Sequence, residues 1–257
     1  MSGPTVLVHR NADVLAEAVS ARLITTFVDV QSSGRIPRWV LTGGTIADRI
    51  HHAVAASEAR HAVDWARVEF WWGDERFVAA DDPDRNVGQA RTTLLDSLPV
   101  DPDRVHPMPA ANGDADPDAA AAAYAEELAR ATSPEDHGVV PVFDVLMLGV
   151  GPDGHVASLF PERPALYDDR SVVAVRGAPK PPPVRISLTM SSLRAAREVW
   201  FVVSGEDKAQ AVRNALSGAG VVQVPAAGPT GRSRTLWLLD KPAATQLPSG
   251  LAQMGSP

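Results

Sequence analysis

The sequence predicts an α/β fold in which a mostly parallel, twisted sheet is covered by helices on both faces. Three observations lead to it. Short apolar runs alternate with helical patterns across nearly the whole chain of 257 residues, the arrangement that builds parallel sheets through right-handed crossovers. The runs are continuous in their apolar character, as in strands buried on both faces. Several of them end on glycine-containing turns that carry polar side chains, and such sheets bind ligands beyond their strand ends.

The elements follow in order. Thr5-Val6-Leu7-Val8 reads as a first strand, and Asn11 is suited to cap a helix whose apolar positions Leu15, Val19, Leu23 and Phe27 recur every four residues. Trp39-Val40-Leu41-Thr42 gives a second strand, which runs into Gly43-Gly44-Thr45 and a helix through Ile46, Ile50 and Val54. Val68 to Trp72 is a third strand, ending at Gly73-Asp74-Glu75-Arg76, and Asn86 to Leu95 has a helical pattern. Met108 to Asp118, rich in Pro, Ala, Asn, Gly and Asp, reads as a long surface connection before an alanine-rich helix from Ala119 to Arg130. Val142 to Leu148 is an apolar strand closed by Gly149-Val150-Gly151-Pro152-Asp153-Gly154-His155. A proline-rich stretch, Pro179 to Pro183, leads into Arg185-Ile186-Ser187-Leu188-Thr189. Val199 to Val203 is a further buried strand, followed by Ser204-Gly205-Glu206-Asp207-Lys208 and a helix through Ala211, Ala215 and Leu216; Thr235 to Leu239 reads as the last strand. A single domain over residues 1–257 is expected, with residues 246–257 as a loose tail.

Composition narrows the function classes. Hydrophobic residues make up 45% and charged residues 21%, ordinary globular usage. A formal net charge of −7 and the lack of any basic run give nucleic acid no field to bind in, so a small molecule is the expected partner. No apolar stretch is long enough to span a bilayer and Met1 to Arg10 does not read as a leader, so no membrane association and a cytoplasmic location are expected. Cysteine is absent, which removes thiol chemistry, and the seven histidines show no paired metal-ligand spacing, so no metal is expected.

The chemistry concentrates past strand ends. Gly-Pro-Asp-Gly-His sets Asp153 and His155 two residues apart in one rigid turn, an acid beside the side chain best suited to proton transfer near neutrality. No Gly-x-Ser-x-Gly elbow accompanies it, so attack by water is a simpler reading than an acyl-enzyme on Ser158. Gly43-Gly44-Thr45, between a strand and a helix, can offer unpaired amides to a phosphate, although alone it is equally a tight turn. Asp74-Glu75-Arg76 brings two carboxylates and a guanidinium to a strand end, where Arg76 can hold phosphate or an oxyanion; alone it is equally a solvated charged turn. Lys208 and Arg185 are single cations that could meet an anionic substrate.

Taken together, Leu41 to Thr45, Trp72 to Val78 with Asp84, Asn86 and Gly88, Leu148 to Pro161, Arg185 to Thr189 and Gly205 to Ala209 resemble the 6-phosphogluconolactonases of the pentose phosphate pathway, in the same order along residues 5 to 245. The resemblance implies the Rossmann-like fold shared with glucosamine-6-phosphate deaminase and ribose-5-phosphate isomerase. It also implies hydrolysis of 6-phospho-D-glucono-1,5-lactone without a cofactor, and His155 as general base. Asp153 would orient the site, with Arg76 beside it in the chemistry. Gly43, Gly44, Thr45, Asp74, Glu75, Gly154, Arg185 and Lys208 would line the substrate. One departure stands out: many relatives continue the glycine pair with Ser-Thr-Pro, whereas Thr45-Ile46-Ala47 follows here.

Two other functions fit parts of this pattern. A glucosamine-6-phosphate deaminase also uses an Asp-Gly-His turn, usually followed by Ala-Phe-Asn-Glu-Pro; here Ala157-Ser158-Leu159-Phe160-Pro161 follows. A sugar-phosphate sensor domain would need a DNA-binding module, and the sequence has no helix-turn-helix segment.

Overall fold

The computed structural model describes residues 3–248 and 250–254. The chain runs through β1 (Thr5–His9), α1 (Ala12–Ser32), β2 (Arg38–Leu41), α2 (Thr45–Ala56), β3 (Glu69–Trp72), β4 (Asp74–Arg76), α3 (Asn86–Thr93) and α4 (Pro117–Arg130). It continues through β5 (Val145–Leu148), β6 (Val172–Val175), β7 (Arg185–Leu188), α5 (Met190–Leu193), β8 (Glu198–Val203), α6 (Ala209–Leu216), β9 (Arg234–Asp240) and β10 (Ala252–Met254). Seven strands form one parallel sheet in the order β10-β1-β9-β8-β5-β2-β3, and β4-β7-β6 form a small antiparallel sheet.

Strand alternation assigns the large sheet two covered faces. Trp39 and Phe70, paired across β2 and β3, lie on one face with Phe27 of α1, the Phe27 and Trp39 rings meeting edge-on at 5.7 Å. Trp71, the next residue, points to the other face, where it stacks on His106 at 3.9 Å and meets Tyr124 of α4. Such aromatic pairs add about 0.5–1.5 kcal/mol each beyond the area they bury. The helix starts are capped as their sequences allow: Asn11 Oδ1 accepts the Val14 amide at 2.9 Å, and Asp116 accepts that of Ala119 at 3.1 Å with Pro117 in the first turn.

Gly73 is where the chain changes sheets. Its amide donates to Leu41 of β2 at 3.1 Å, extending the large sheet by one rung, while its carbonyl accepts from Leu188 of β7 at 2.9 Å. Beyond it β4 pairs antiparallel with β7.

Three expectations need correction. The strand expected from Val142 starts at Val145, because the buried Asp144 is occupied as an acceptor: its carboxylate takes the Arg35 guanidinium at 2.8 Å and the Arg38 amide at 3.1 Å. Asp74-Glu75-Arg76, expected as a polar cluster past the end of the third strand, is itself a strand, β4. Within the expected loose tail, Ala252–Met254 pairs with β1 as a parallel edge strand, since β1 otherwise leaves one line of backbone groups open; Thr235 to Leu239 is therefore not the last strand. Residues 249 and 255–257 of that tail lie outside the described residues.

The connections from β2 and β5 leave in opposite directions across the sheet, β2 toward β3 and β5 toward β8. Between their carboxyl ends lies the crevice that such a reversal creates, and ligands of open α/β sheets bind there.

Candidate active site

The turns after β2 and β5 form the two lips of this crevice. Gly43 and Gly44 follow β2; Gly44 has φ 102°, a conformation open to glycine, and leads directly into α2. A Cβ on Gly43 would overlap the Asn86 side chain, so only glycine lets these groups close together. Gly149 to His155 follows β5 and folds on itself: the Gly151 amide donates to the His155 carbonyl at 3.0 Å and the Gly154 amide to that of Gly151 at 2.9 Å. A Cβ on Gly151 would strike His155 Nδ1.

His155 is held on both sides. Its Nδ1 lies 2.5 Å from Asp153 Oδ1, which also takes the His155 amide at 3.3 Å, and its ring leans on Phe160 with centroids 4.6 Å apart. Partial burial works against a charged Asp153, but the hydrogen bond and charge of His155 outweigh it and hold the carboxyl at about 2. An ionised carboxylate accepts only, so Nδ1 carries the proton and Nε2 is left with a lone pair. Ser158, three residues on, is fully buried and donates to Asp74 Oδ2 at 2.7 Å, while its amide donates to Ser187 Oγ at 3.2 Å. It fastens the histidine loop to the small sheet.

Across from His155, β4 presents Asp74 and Arg76. Arg76 Nη1 donates to the Asp84 carbonyl at 3.0 Å and to Asn86 Oδ1, while Asn86 Nδ2 donates to the Asp74 carbonyl at 2.9 Å. Arg76 Nε is buried with no hydrogen-bond partner among the described residues. Arg185 reaches the same space but spends three donor contacts on the proline-rich loop, to Pro182 at 2.7 Å and to Lys180 and Pro181 at 3.1 Å each. Burial pulls its guanidinium below the usual range, with Asp74 opposing and Arg76 adding to the shift. Lys208 enters from the turn after β8 and pairs with Asp207.

Of the residues expected at a site, Gly43, Gly44, Asp74, Arg76, His155, Arg185 and Lys208 line one cavity of about 260 Å³. Thr45 lines an adjoining hollow of about 490 Å³ that shares Gly43, Gly44 and Lys208 and adds Arg49 and Ser204. Three expected residues stand elsewhere. Asp153 lies behind His155 and reaches the cavity through it. Gly154, at φ 84°, packs outward on Val224 and gives its carbonyl to the Ala226 amide at 2.9 Å. Glu75 is fully buried on the far side of β4, its carboxylate occupied by the Arg76, Asn86 and Val87 amides and by Arg85. Burial pushes the Glu75 carboxyl up, and these donors pull against it. Thr42, Phe160, Lys180 and Pro181 also line the cavity and were not singled out from sequence. Thr42 and Phe160 fall inside the blocks Leu41 to Thr45 and Leu148 to Pro161 but are uncharged and have no acid or base chemistry to mark them; Lys180, a cation inside the Pro179 to Pro183 run, was the signal available.

Polar and cationic groups thus surround a space facing an oriented imidazole, which suits a small anionic substrate undergoing proton transfer. The 6-phosphogluconolactonase of Streptomyces coelicolor is 59% identical over 251 residues, covering 96% of each chain. That of Mycobacterium tuberculosis is 44% identical, covering 95% of this chain and 99% of the relative. Among solved structures, the 6-phosphogluconolactonase of Trypanosoma brucei superposes with a TM-score of 0.81 at 28% identity, over 96% of this chain and 100% of the other. A monomeric glucosamine-6-phosphate deaminase shares the fold, with a TM-score of 0.78 at 17% identity over 94% and 99% of the two chains. Residues 10–237 match the model of the glucosamine-6-phosphate isomerases/6-phosphogluconolactonase family, and the chain belongs to that family.

Proposed function

We infer that this protein is a 6-phosphogluconolactonase of the pentose phosphate pathway, hydrolysing 6-phospho-D-glucono-1,5-lactone to 6-phospho-D-gluconate. The observation that carries the chemistry is the Asp153–His155 hydrogen bond, because it directs one imidazole nitrogen to the carboxylate and leaves the other free as a base. Water attacks the lactone carbonyl carbon as His155 Nε2 takes its proton, giving a tetrahedral intermediate. The bond from that carbon to the ring oxygen then breaks, and the same proton passes from Nε2 to the leaving oxygen. Asp153 fixes the tautomer and stabilises the transient imidazolium, without itself reaching the substrate.

Arg76, Lys208 and the amides of the Gly43-Gly44-Thr45 turn hold the phosphate, that of Gly44 by exchanging its present acceptor, Gln89 Oε1 at 3.2 Å, for a phosphate oxygen, and Arg185 faces the sugar. Support comes from their convergence on two adjoining spaces at the start of α2, whose dipole favours an anion. Thr45 keeps a hydroxyl where many relatives have serine, and Arg49, one turn into α2, adds a cation to the same hollow. Ser158 is not a nucleophile in this scheme, since its hydroxyl proton is committed to Asp74. No helix among the described residues is long and apolar enough to cross a membrane. We assign the enzyme to the cytoplasm because its substrate is a charged sugar phosphate that does not cross bilayers unaided.

Proton release from freshly generated 6-phospho-D-glucono-1,5-lactone tests this function. The expected result is release faster than spontaneous hydrolysis, in proportion to added protein. Release at the spontaneous rate overturns it.

A further inference from the structure

Glu75 stands between the two residues of β4 that face the cavity, and strand alternation turns it to the opposite side. There it meets the first turn of α3. That helix begins after Arg85, whose side chain makes no capping hydrogen bond, so the first amides need an acceptor from elsewhere. Glu75 provides it from eleven residues upstream: Oε1 accepts the Asn86 amide at 2.7 Å and Oε2 the Val87 amide at 2.9 Å. Oε1 also accepts the Arg76 amide at 2.8 Å. The Arg85 guanidinium lies 3.5 Å from Oε2 and donates to the Met108 carbonyl at 2.5 Å. A buried carboxylate at a helix start is favoured by the dipole as well as by these donors.

This cap fixes the position of Asn86. The Asn86 side chain bridges the backbone of Asp74 and the guanidinium of Arg76, and it occupies the volume that a Cβ on Gly43 would need. A shift of the first turn of α3 would therefore move Arg76 and loosen the contact with the Gly43 turn together. We propose that Glu75 is a positioning residue for substrate capture: by capping α3 it holds Asn86, and through Asn86 it holds the Arg76 guanidinium toward the cavity. The proposal rests on the reading above that Arg76 meets the substrate's phosphate.

If Glu75 were purely architectural, replacing it would lower stability and alter KM alike whether or not Arg76 is present; a positioning Glu75 acts on substrate capture only through Arg76. A double-mutant cycle in the full-length protein separates them. Thermal unfolding of each variant is measured alongside KM and kcat on the phosphorylated lactone. With Arg76 present, Glu75→Gln is expected to raise KM about tenfold while changing kcat less, the scale of coupling between groups in one hydrogen-bonded network. In the Arg76→Ala background the same substitution is expected to change KM by less than about twofold. An equal rise in both backgrounds overturns the proposal and leaves the role of Arg76 standing. A wild-type KM in Arg76→Ala alone overturns the phosphate role of Arg76 and this proposal with it. Should Glu75→Gln fail to fold, Asn86→Ala carries the test. A KM rise that vanishes without Arg76 supports the link, and one that persists without it overturns it.

Discussion

At the scale of single residues, the account turns on which nitrogen of His155 carries a proton. Asp153 decides it, because a carboxylate ionised down to about pH 2 can only accept from Nδ1. Asp153→Asn is nearly isosteric but offers an amide that can donate as well as accept. Its NH₂ can meet an unprotonated Nδ1, which moves the proton to Nε2 and removes the base. The expected outcome is a fall in kcat of at least about tenfold with little change in KM, a loss that general base catalysis can account for. Steady-state kinetics on the lactone measure it, and a wild-type kcat would mean that Asp153 does not set the tautomer. Glu75 shows the complementary case, a charged residue in a functional motif whose carboxylate serves the fold's own amides.

At the scale of elements, the parts that were legible in the sequence share one physical property: a strand buried on both faces must be continuously apolar, and the glycines that end it mark the turn. β1, β2, β3, β5, β8 and β9 carry such apolar runs, glycine follows closely after β2, β3, β5 and β8, and the Gly-Pro-Asp-Gly-His turn could be located because all its parts are contiguous. The small antiparallel sheet was not legible, since β4 is three charged residues and its pairing with β7 is a contact across more than a hundred positions. Reading Asp74-Glu75-Arg76 as a polar cluster past a strand end put all three side chains at the site. Strand alternation would have separated them, with Asp74 and Arg76 to one side and Glu75 to the other. β10 carries no β-branched or aromatic residue to announce it, and only the open edge of β1 gives it a partner. Gly154 was drawn into the site by its neighbours, yet its positive φ turns it away from the cavity toward Val224.

At the scale of the whole molecule, the same sheet that assembles the site imposes an acid limit on stability. His51 on α2 is fully buried; its Nδ1 lies 3.1 Å from Thr93 Oγ1, whose own proton goes to the Gln89 carbonyl, so Nδ1 donates and Nε2 is a lone pair without a partner among the described residues. Burial, with a lesser contribution from His52, pushes this imidazole down to about 3. Between the ordinary histidine range near 6.5 and that value, the unfolded chain takes up a proton that the folded protein does not. Stability conferred by neutral His51 is therefore complete above about pH 6.5 and lost as pH falls toward 3, by at most ~1.4 kcal/mol per pH unit. Urea unfolding at pH 7 and pH 4.5 checks this against His51→Leu. The variant is expected to lose less stability over that interval than the wild type, and an equal loss would show that His51 is not a source of acid lability.

The functional claim for the molecule rests on His155 as the base that activates water at the mouth of the crevice between β2 and β5. The most direct measurement is kcat for 6-phospho-D-glucono-1,5-lactone hydrolysis by the wild-type protein and by His155→Ala, corrected for spontaneous hydrolysis. The account predicts a fall of about 10²–10⁴-fold in kcat with KM little changed, the full contribution of a general base. A variant that turns over at close to the wild-type rate would contradict it.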